Sequence, residues 1–103
     1  MNKLERVDRV LNGKMVDSPP LSLWYHFGVQ HGPGEQHAKL SLEFFRHYDL
    51  DFLKVMNDYF YPRPENLEAV RSRADLQKIR PFDVDASPWS EQFAALEIGR
   101  AHV

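Results

Sequence analysis

The sequence predicts an α/β fold built around a parallel sheet. A helical period at the N-terminus is followed by a strand-like run at residues 21–27. A second helical period covers 35–48, and a second strand-like run covers 52–57. A strand, a helix and another strand in succession are typical of a β-α-β unit, in which the two strands lie parallel.

The first helix is predicted from its cap and from its apolar spacing. Asn2 is a favourable N-cap residue, and Glu5 three positions later completes a capping-box pattern. Asn12-Gly13 supplies the left-handed turn that commonly ends a helix. The apolar positions at helical spacing are Leu4, Val7, Val10 and Leu11.

The β-α-β unit is predicted from residues 21–57. The run at 21–27 is short and aromatic, as strands often are, and Gly28 begins the loop that follows it. In the second strand Lys54 falls on an inner face, which is expected only if that face lines a polar cavity. The apolar stripe predicted for the intervening helix is Leu40, Phe44, Phe45 and Tyr48.

Two shorter helices are predicted in the second half of the chain. Ser72 and Asp75 form the pattern of a short capped helix. Ser87-Pro88 can open another helix, which runs through Phe93 and Leu96.

Composition excludes several classes of function. The chain has 103 residues, a mass of 12.1 kDa, 43% hydrophobic residues and a net charge of −2. A chain with this net charge lacks the excess of positive charge that nucleic-acid binding requires, and we expect neither a nucleic-acid partner nor a membrane partner. The absence of cysteine excludes disulfides and thiolate metal sites within these residues. No signal peptide is recognisable, so a cytoplasmic protein is expected.

Two parallel strands are too few for a sheet that is covered on both faces. A barrel of eight βα units takes about 250 residues. The sequence therefore predicts that the chain is the N-terminal part of a larger α/β domain.

Three stretches resemble one enzyme family. Residues 9–14 (Arg-Val-Leu-Asn-Gly-Lys), followed by Asp17 and by Pro19-Pro20, are similar to the N-terminal signature of the uroporphyrinogen decarboxylase family. Residues 21–24 stand where that family has its first strand, and residues 50–58 match its second strand. The resemblance covers roughly residues 4–96.

The resemblance implies the N-terminal portion of a (β/α)₈ TIM barrel, truncated after about two βα units. It also implies a carboxy-lyase of porphyrin and heme biosynthesis, which decarboxylates the acetate side chains of a tetrapyrrole without a cofactor. In the family an Arg-Gln-Ala-Gly-Arg segment follows the first strand, and its arginines hold substrate carboxylates. In this chain Tyr25 and Val29 replace the two arginines.

The resemblance also assigns a catalytic residue. Asp58 corresponds to a family aspartate at the end of the second strand, which stabilises positive charge on the pyrroles, and is the expected catalytic residue. His26, at the end of the first strand, and Asn57 are expected to bind substrate. No metal site is expected, because His31 and His37 have no completing partner and are predicted to lie on the surface. Tyr59, Phe60 and Tyr61 are candidates for lining a pocket.

Two alternatives remain open at this point. The same family contains methyltransferases that use a corrinoid and a zinc ion held by a histidine and cysteines late in the chain. A small stand-alone binding module is the other, and it predicts that the 103 residues fold alone.

The last seven residues, 97–103, are similar to the translation of a common sequencing adapter (Glu-Ile-Gly-Arg-Ala-His-Val). We therefore expect residues 1–96 to be the native fragment and 97–103 to be a non-native tail. Gly99 is expected to interrupt the preceding helix.

Overall fold

The computed structural model describes residues 1–102, and its regular structure is helical. Helix α1 spans Lys3–Leu11, α2 spans Gly34–His47, α3 spans Arg73–Leu76 and α4 spans Trp89–Arg100. None of these helices is long and apolar enough to cross a membrane.

The predicted α/β fold is wrong for the part of the chain that the structure describes. Residues 1–102 contain no strand and no sheet, so they do not form a portion of a (β/α)₈ TIM barrel. The runs at 21–27 and 52–57 are extended segments rather than strands. The only backbone hydrogen bond recorded between them joins the Asp51 N–H to the Leu21 carbonyl, at 2.9 Å. A ladder requires a series of such bonds, and an isolated pair of strands is marginally stable at best.

Local signals predicted two helices well. The Asn2 side chain accepts a hydrogen bond from the Glu5 N–H at 2.8 Å, and Gly13 has a φ of 66°, so the predicted cap and stop of α1 are confirmed. The capping box of α3 is also confirmed, because the Ser72 side chain accepts from the Asp75 N–H and the Asp75 carboxylate accepts from the Ser72 N–H. These bonds join residues three positions apart and need no tertiary partner.

Helices α2 and α4 pack against each other, and their contact forms the core. Gly34 lies so close to α4 that a Cβ atom there would be 2.2 Å from the Glu91 carbonyl oxygen. The Glu91 side chain in turn accepts a hydrogen bond from the Gly34 N–H at 2.5 Å. Ala38, Leu42 and Ala95 are buried nearby.

The face of α2 that is buried differs from the predicted stripe. The structure buries Gly34, His37, Ala38, Ser41 and Leu42, whereas Tyr48 is exposed. Small side chains allow the two helix backbones to approach closely, which explains why this face is chosen over the aromatic one. The expected break at Gly99 is also wrong, because α4 continues to Arg100.

An ion-pair cluster attaches α1 to the start of the second extended segment. The Arg6 guanidinium donates to Asp17 at 2.8 and 3.0 Å, and it also donates to the Asp51 carboxylate. The second oxygen of Asp51 accepts from the Leu21 N–H at 2.8 Å. Asp51 thus joins α1 and both extended segments.

We expect Asp51→Asn to lower the denaturant concentration at which helix content is lost. The amide can still accept from Leu21, but it has no charge to pair with Arg6. Asp49→Asn is a matched control, because Asp49 is exposed and its pair with Lys3 is of the surface type that contributes little. Far-UV circular dichroism during denaturation measures both variants, and equal midpoints would contradict the role given to Asp51.

The same site makes stability depend on pH. The Leu21 N–H, and then the Arg6 guanidinium, hold the pKa of Asp51 below its ordinary value. The Asp51 carboxylate therefore binds a proton less readily in the folded protein than in the unfolded chain. The stabilisation is present above the ordinary carboxyl pKa and is lost as the pH falls through the lowered one.

Candidate functional site

The two extended segments run side by side in the same direction. Their contacts pair Leu21 with Asp51, Trp24 with Lys54 and His26 with Asp58, so both residue numbers rise together. The ends of the two segments consequently meet at His26 and Asp58.

His26 and Asp58 form a directly bonded pair. The His26 Nδ1 atom lies 2.6 Å from the Asp58 Oδ1 atom. A carboxylate only accepts hydrogen bonds, so we assign the hydrogen to Nδ1 and leave Nε2 free for another partner. The Asp58 side chain is 4% exposed and the His26 side chain is 55% exposed. The imidazole therefore lies between the buried carboxylate and the solvent.

A second imidazole, which is buried, lies near Asp58. His37 is 1% exposed, and neither of its ring nitrogens has a hydrogen-bond partner among the described residues. The Oδ2 atom of Asp58 is likewise buried and unpartnered within residues 1–102. The prediction that His37 lies on the surface is wrong.

Burial determines the charge of His37. Desolvation lowers the pKa of His37, and the negative charge of Asp58 opposes this only in part. The imidazole is therefore neutral in the folded protein near pH 7. A positively charged imidazole at this depth would require a hydrogen-bonded partner, and the described residues supply none to either ring nitrogen of His37.

The burial of His37 also predicts how folding stability changes with pH. Below about pH 6.5, the ordinary pKa of histidine, the unfolded chain gains a proton at His37 that the folded protein does not, so stability decreases as the pH falls. In His37→Leu this part of the pH dependence should disappear, and the denaturation midpoint should rise. The free energy of unfolding should rise by about 1 kcal/mol or more, because the substitution removes a buried polar group that has no hydrogen-bond partner.

The control for His37→Leu is His47→Gln on the same helix, because His47 is exposed. Denaturation followed at several pH values by circular dichroism measures both variants. Unchanged pH dependence in His37→Leu would show that His37 does not carry the effect.

Tyr59 lies on the buried side of the site, next to His37. Its hydroxyl donates to the Gly32 carbonyl at 3.1 Å, and its ring centroid lies 6.0 Å from that of His37. Burial raises the pKa of Tyr59, and the charges of Glu91 and Asp58 raise it further. Tyr59 is therefore a neutral hydrogen-bond donor that fixes the loop before α2.

Asn57 has a local structural role in this turn. Its side-chain oxygen accepts a hydrogen bond from the Tyr59 N–H at 3.1 Å. Such a bond two residues along the chain is an Asx turn. It holds the backbone that follows Asp58.

The exposed Trp24 lies against the pair. The Trp24 ring meets the His26 ring edge-on with centroids 5.6 Å apart, and the Lys54 ammonium lies 5.0 Å from the centroid of Trp24. Lys54 is exposed, so the predicted inward-facing position is wrong. The other large aromatic side chains exposed on these segments or just after them are Tyr25, Phe52, Phe60 and Tyr61, and the Tyr25 ring contacts Phe27.

Two cavities lie away from His26 and Asp58. One of about 370 Å³ is bordered by α1, α2, residues 51–55 and α4, and another of about 950 Å³ is bordered by residues 61–70 and 79–84. Neither is lined by His26 or Asp58. We place the candidate site at the pair because it joins an exposed titratable group to a buried carboxylate, which neither cavity does.

Within residues 1–102 no three His, Cys, Asp or Glu side chains are grouped so that they could hold a metal ion. His31 lies at the surface, with its ring centroid 6.3 Å from that of Phe60. It is therefore separate from the buried His37.

Sequence reasoning missed Lys54 and His37 as neighbours of the pair. His37 stands four positions before Ser41, on the small-residue face of α2, and this spacing is the signal that could have indicated its burial. No spacing along the chain indicates that Lys54 lies over Trp24, because that contact joins two separate segments.

No protein-family model, curated protein or solved structure matches this chain.

Proposed function

We propose that the intact parent protein, of which residues 1–96 are the N-terminal part, is a cytoplasmic, cofactor-free decarboxylase of tetrapyrrole acetate side chains. The resemblance to the uroporphyrinogen decarboxylase family supports this proposal. The observation that carries it is the 2.6 Å contact between His26 Nδ1 and Asp58 Oδ1, which joins the expected catalytic residue to an expected substrate-binding residue.

The chemistry of decarboxylation explains the need for such a pair. When carbon dioxide leaves an acetate side chain, the bonding electron pair stays behind and requires an electron-poor centre. A pyrrole ring that carries positive charge supplies that centre. A fixed negative charge nearby stabilises the cation without any cofactor, and the buried Asp58 carboxylate supplies that charge.

The surroundings of the pair fit a flat substrate that carries carboxylates. Trp24, whose ring meets that of His26 edge-on, exposes aromatic surface on which a pyrrole can pack. Lys54 has no acidic partner within 4.0 Å in the described part of the chain, so its ammonium group is available to a substrate carboxylate. Tyr25 and Val29 stand at the positions of the family's two arginines and carry no charge. In this proposal Lys54 supplies the positive charge that those arginines provide in the family.

The test is to incubate the intact protein with uroporphyrinogen under anaerobic conditions, with a chelator and without added corrinoid. Mass spectrometry counts the carboxyl groups that remain. We expect stepwise loss of carbon dioxide from the acetate side chains. Unchanged substrate would refute the proposal.

The two alternatives give different results in the same preparation. A corrinoid- and zinc-dependent methyltransferase would leave the carboxyl groups intact and lose its activity with the chelator. Its gene would also encode a late histidine with paired cysteines beyond Leu96. A binding module would retain the porphyrinogen without converting it.

A further inference from the structure

The Asp58 carboxylate is not placed to touch a substrate directly. Its side chain is 4% exposed, and Oδ1 is already bonded to His26. A substrate that approaches from solvent meets the imidazole first, because the His26 side chain is 55% exposed. The two residues therefore have different positions relative to any bound ligand.

We infer that His26 is the proton donor to the reacting carbon and that Asp58 is its positioning residue, an assignment that rests on the proposed decarboxylation. A carboxylate bonded to Nδ1–H fixes the ring orientation and the tautomer, and it compensates the positive charge of the imidazolium. Nε2 then faces outward as the group that exchanges a proton with the substrate.

The proton balance of the reaction requires such a donor. The bond between the side-chain methylene and the carboxylate breaks, carbon dioxide leaves, and the electron pair moves into the positively charged pyrrole, which forms a double bond between the methylene carbon and the ring. The methylene carbon then takes the Nε2 proton of the His26 imidazolium and becomes a methyl group, and the pyrrole loses the proton that had given it its charge. One proton is consumed for each carbon dioxide released, and the neutral imidazole regains a proton from water through its exposed edge.

Other nearby groups are less suited to this transfer. His37 is 1% exposed and neutral, and Tyr59 donates its hydroxyl hydrogen to the Gly32 carbonyl. Lys54 lies over Trp24, and its ammonium group is suited to pairing with carboxylates. Among the titratable side chains around Asp58, His26 alone combines exposure with a bond to the carboxylate.

The first experiment does not require activity. Nitrogen-15 NMR reports which ring nitrogen of His26 carries the hydrogen when the imidazole is neutral. We expect the Nδ1–H form in the wild type and a mixture of tautomers in Asp58→Ala. A mixture in the wild type would overturn the assignment of Asp58 as the positioning residue, whatever the substrate is.

The second experiment is chemical rescue in the intact protein. We expect His26→Ala to reduce kcat on uroporphyrinogen by about 10²- to 10⁴-fold, the usual effect of losing a general acid. Added imidazole should restore part of this loss, because the removed side chain was half exposed. His47→Ala is the matched control, since His47 is exposed on α2, and we expect it to retain full activity and to be indifferent to imidazole.

The outcomes separate the two claims. An active wild type with an undiminished His26→Ala variant would overturn the proton donor and leave the decarboxylase intact. A lost activity that imidazole does not restore would also overturn it, since a structural role gives no rescue. A wild type without turnover would refute the proposed function, and the role of proton donor to the substrate with it.

Discussion

Replacing Asp58 with asparagine is expected to abolish decarboxylation in the intact protein while leaving its helices in place. Asparagine has nearly the same size and can still accept a hydrogen bond from His26 Nδ1, but it has no negative charge. The imidazolium would lose its compensating charge and the substrate cation would lose its nearby anion. The expected decrease in kcat is about 10⁴-fold, as found where a histidine loses its charged aspartate partner.

Asp85→Asn is the control for this change, because Asp85 is exposed and lies outside the site. Both variants should give the circular dichroism spectrum of the wild type. The measured quantities are kcat and KM on uroporphyrinogen, and the loss in Asp58→Asn should appear in kcat. Undiminished turnover would remove Asp58 from the mechanism.

Gly34→Ala is expected to cause the largest loss of stability. The added Cβ would lie 2.2 Å from the Glu91 carbonyl oxygen and 2.9 Å from the Ala95 nitrogen. Both are backbone atoms of α4, so no side-chain rotation relieves the clash and the two helices must separate. The separation would also stretch the 2.5 Å bond between the Gly34 N–H and Glu91. A cost of about 3 kcal/mol is expected, at the upper end for overpacking a core.

Gly99→Ala on α4 tests whether this cost comes from close packing. A Cβ at Gly99 would meet nothing within 4 Å. Alanine favours a helix over glycine by about 0.5–1 kcal/mol, so this variant should be as stable as the wild type or more stable. Denaturant midpoints measured by circular dichroism compare the two, and equal midpoints would show that α2 and α4 do not pack at Gly34.

Helix ends were predictable because their signals are local. The Asn2 cap, the Gly13 stop and the Ser72–Asp75 box depend on residues a few positions apart. The strands were not predictable in this way, because a strand requires a partner elsewhere in the chain. Residues 21–27 and 52–57 have the composition of strands, yet only Leu21 and Asp51 join their backbones. Composition indicated extended backbone and could not supply the ladder.

The candidate site was predictable only through the family resemblance. Residue spacing alone gives no reason to join His26 to Asp58, because 32 positions separate them. The division of roles between the two required the structure, since it depends on which side chain is buried. His37 was missed because the aromatic stripe of α2 outweighed its small-residue face in the helical pattern.

A double-mutant cycle tests most directly whether His26 and Asp58 act as one unit. The measurement is kcat on uroporphyrinogen for the intact protein, for His26→Ala, for Asp58→Asn and for the double variant. If the two residues act as one unit, the loss in the double variant should be smaller than the product of the two single losses. Losses that multiply would show that the two residues act independently and would contradict the pairing.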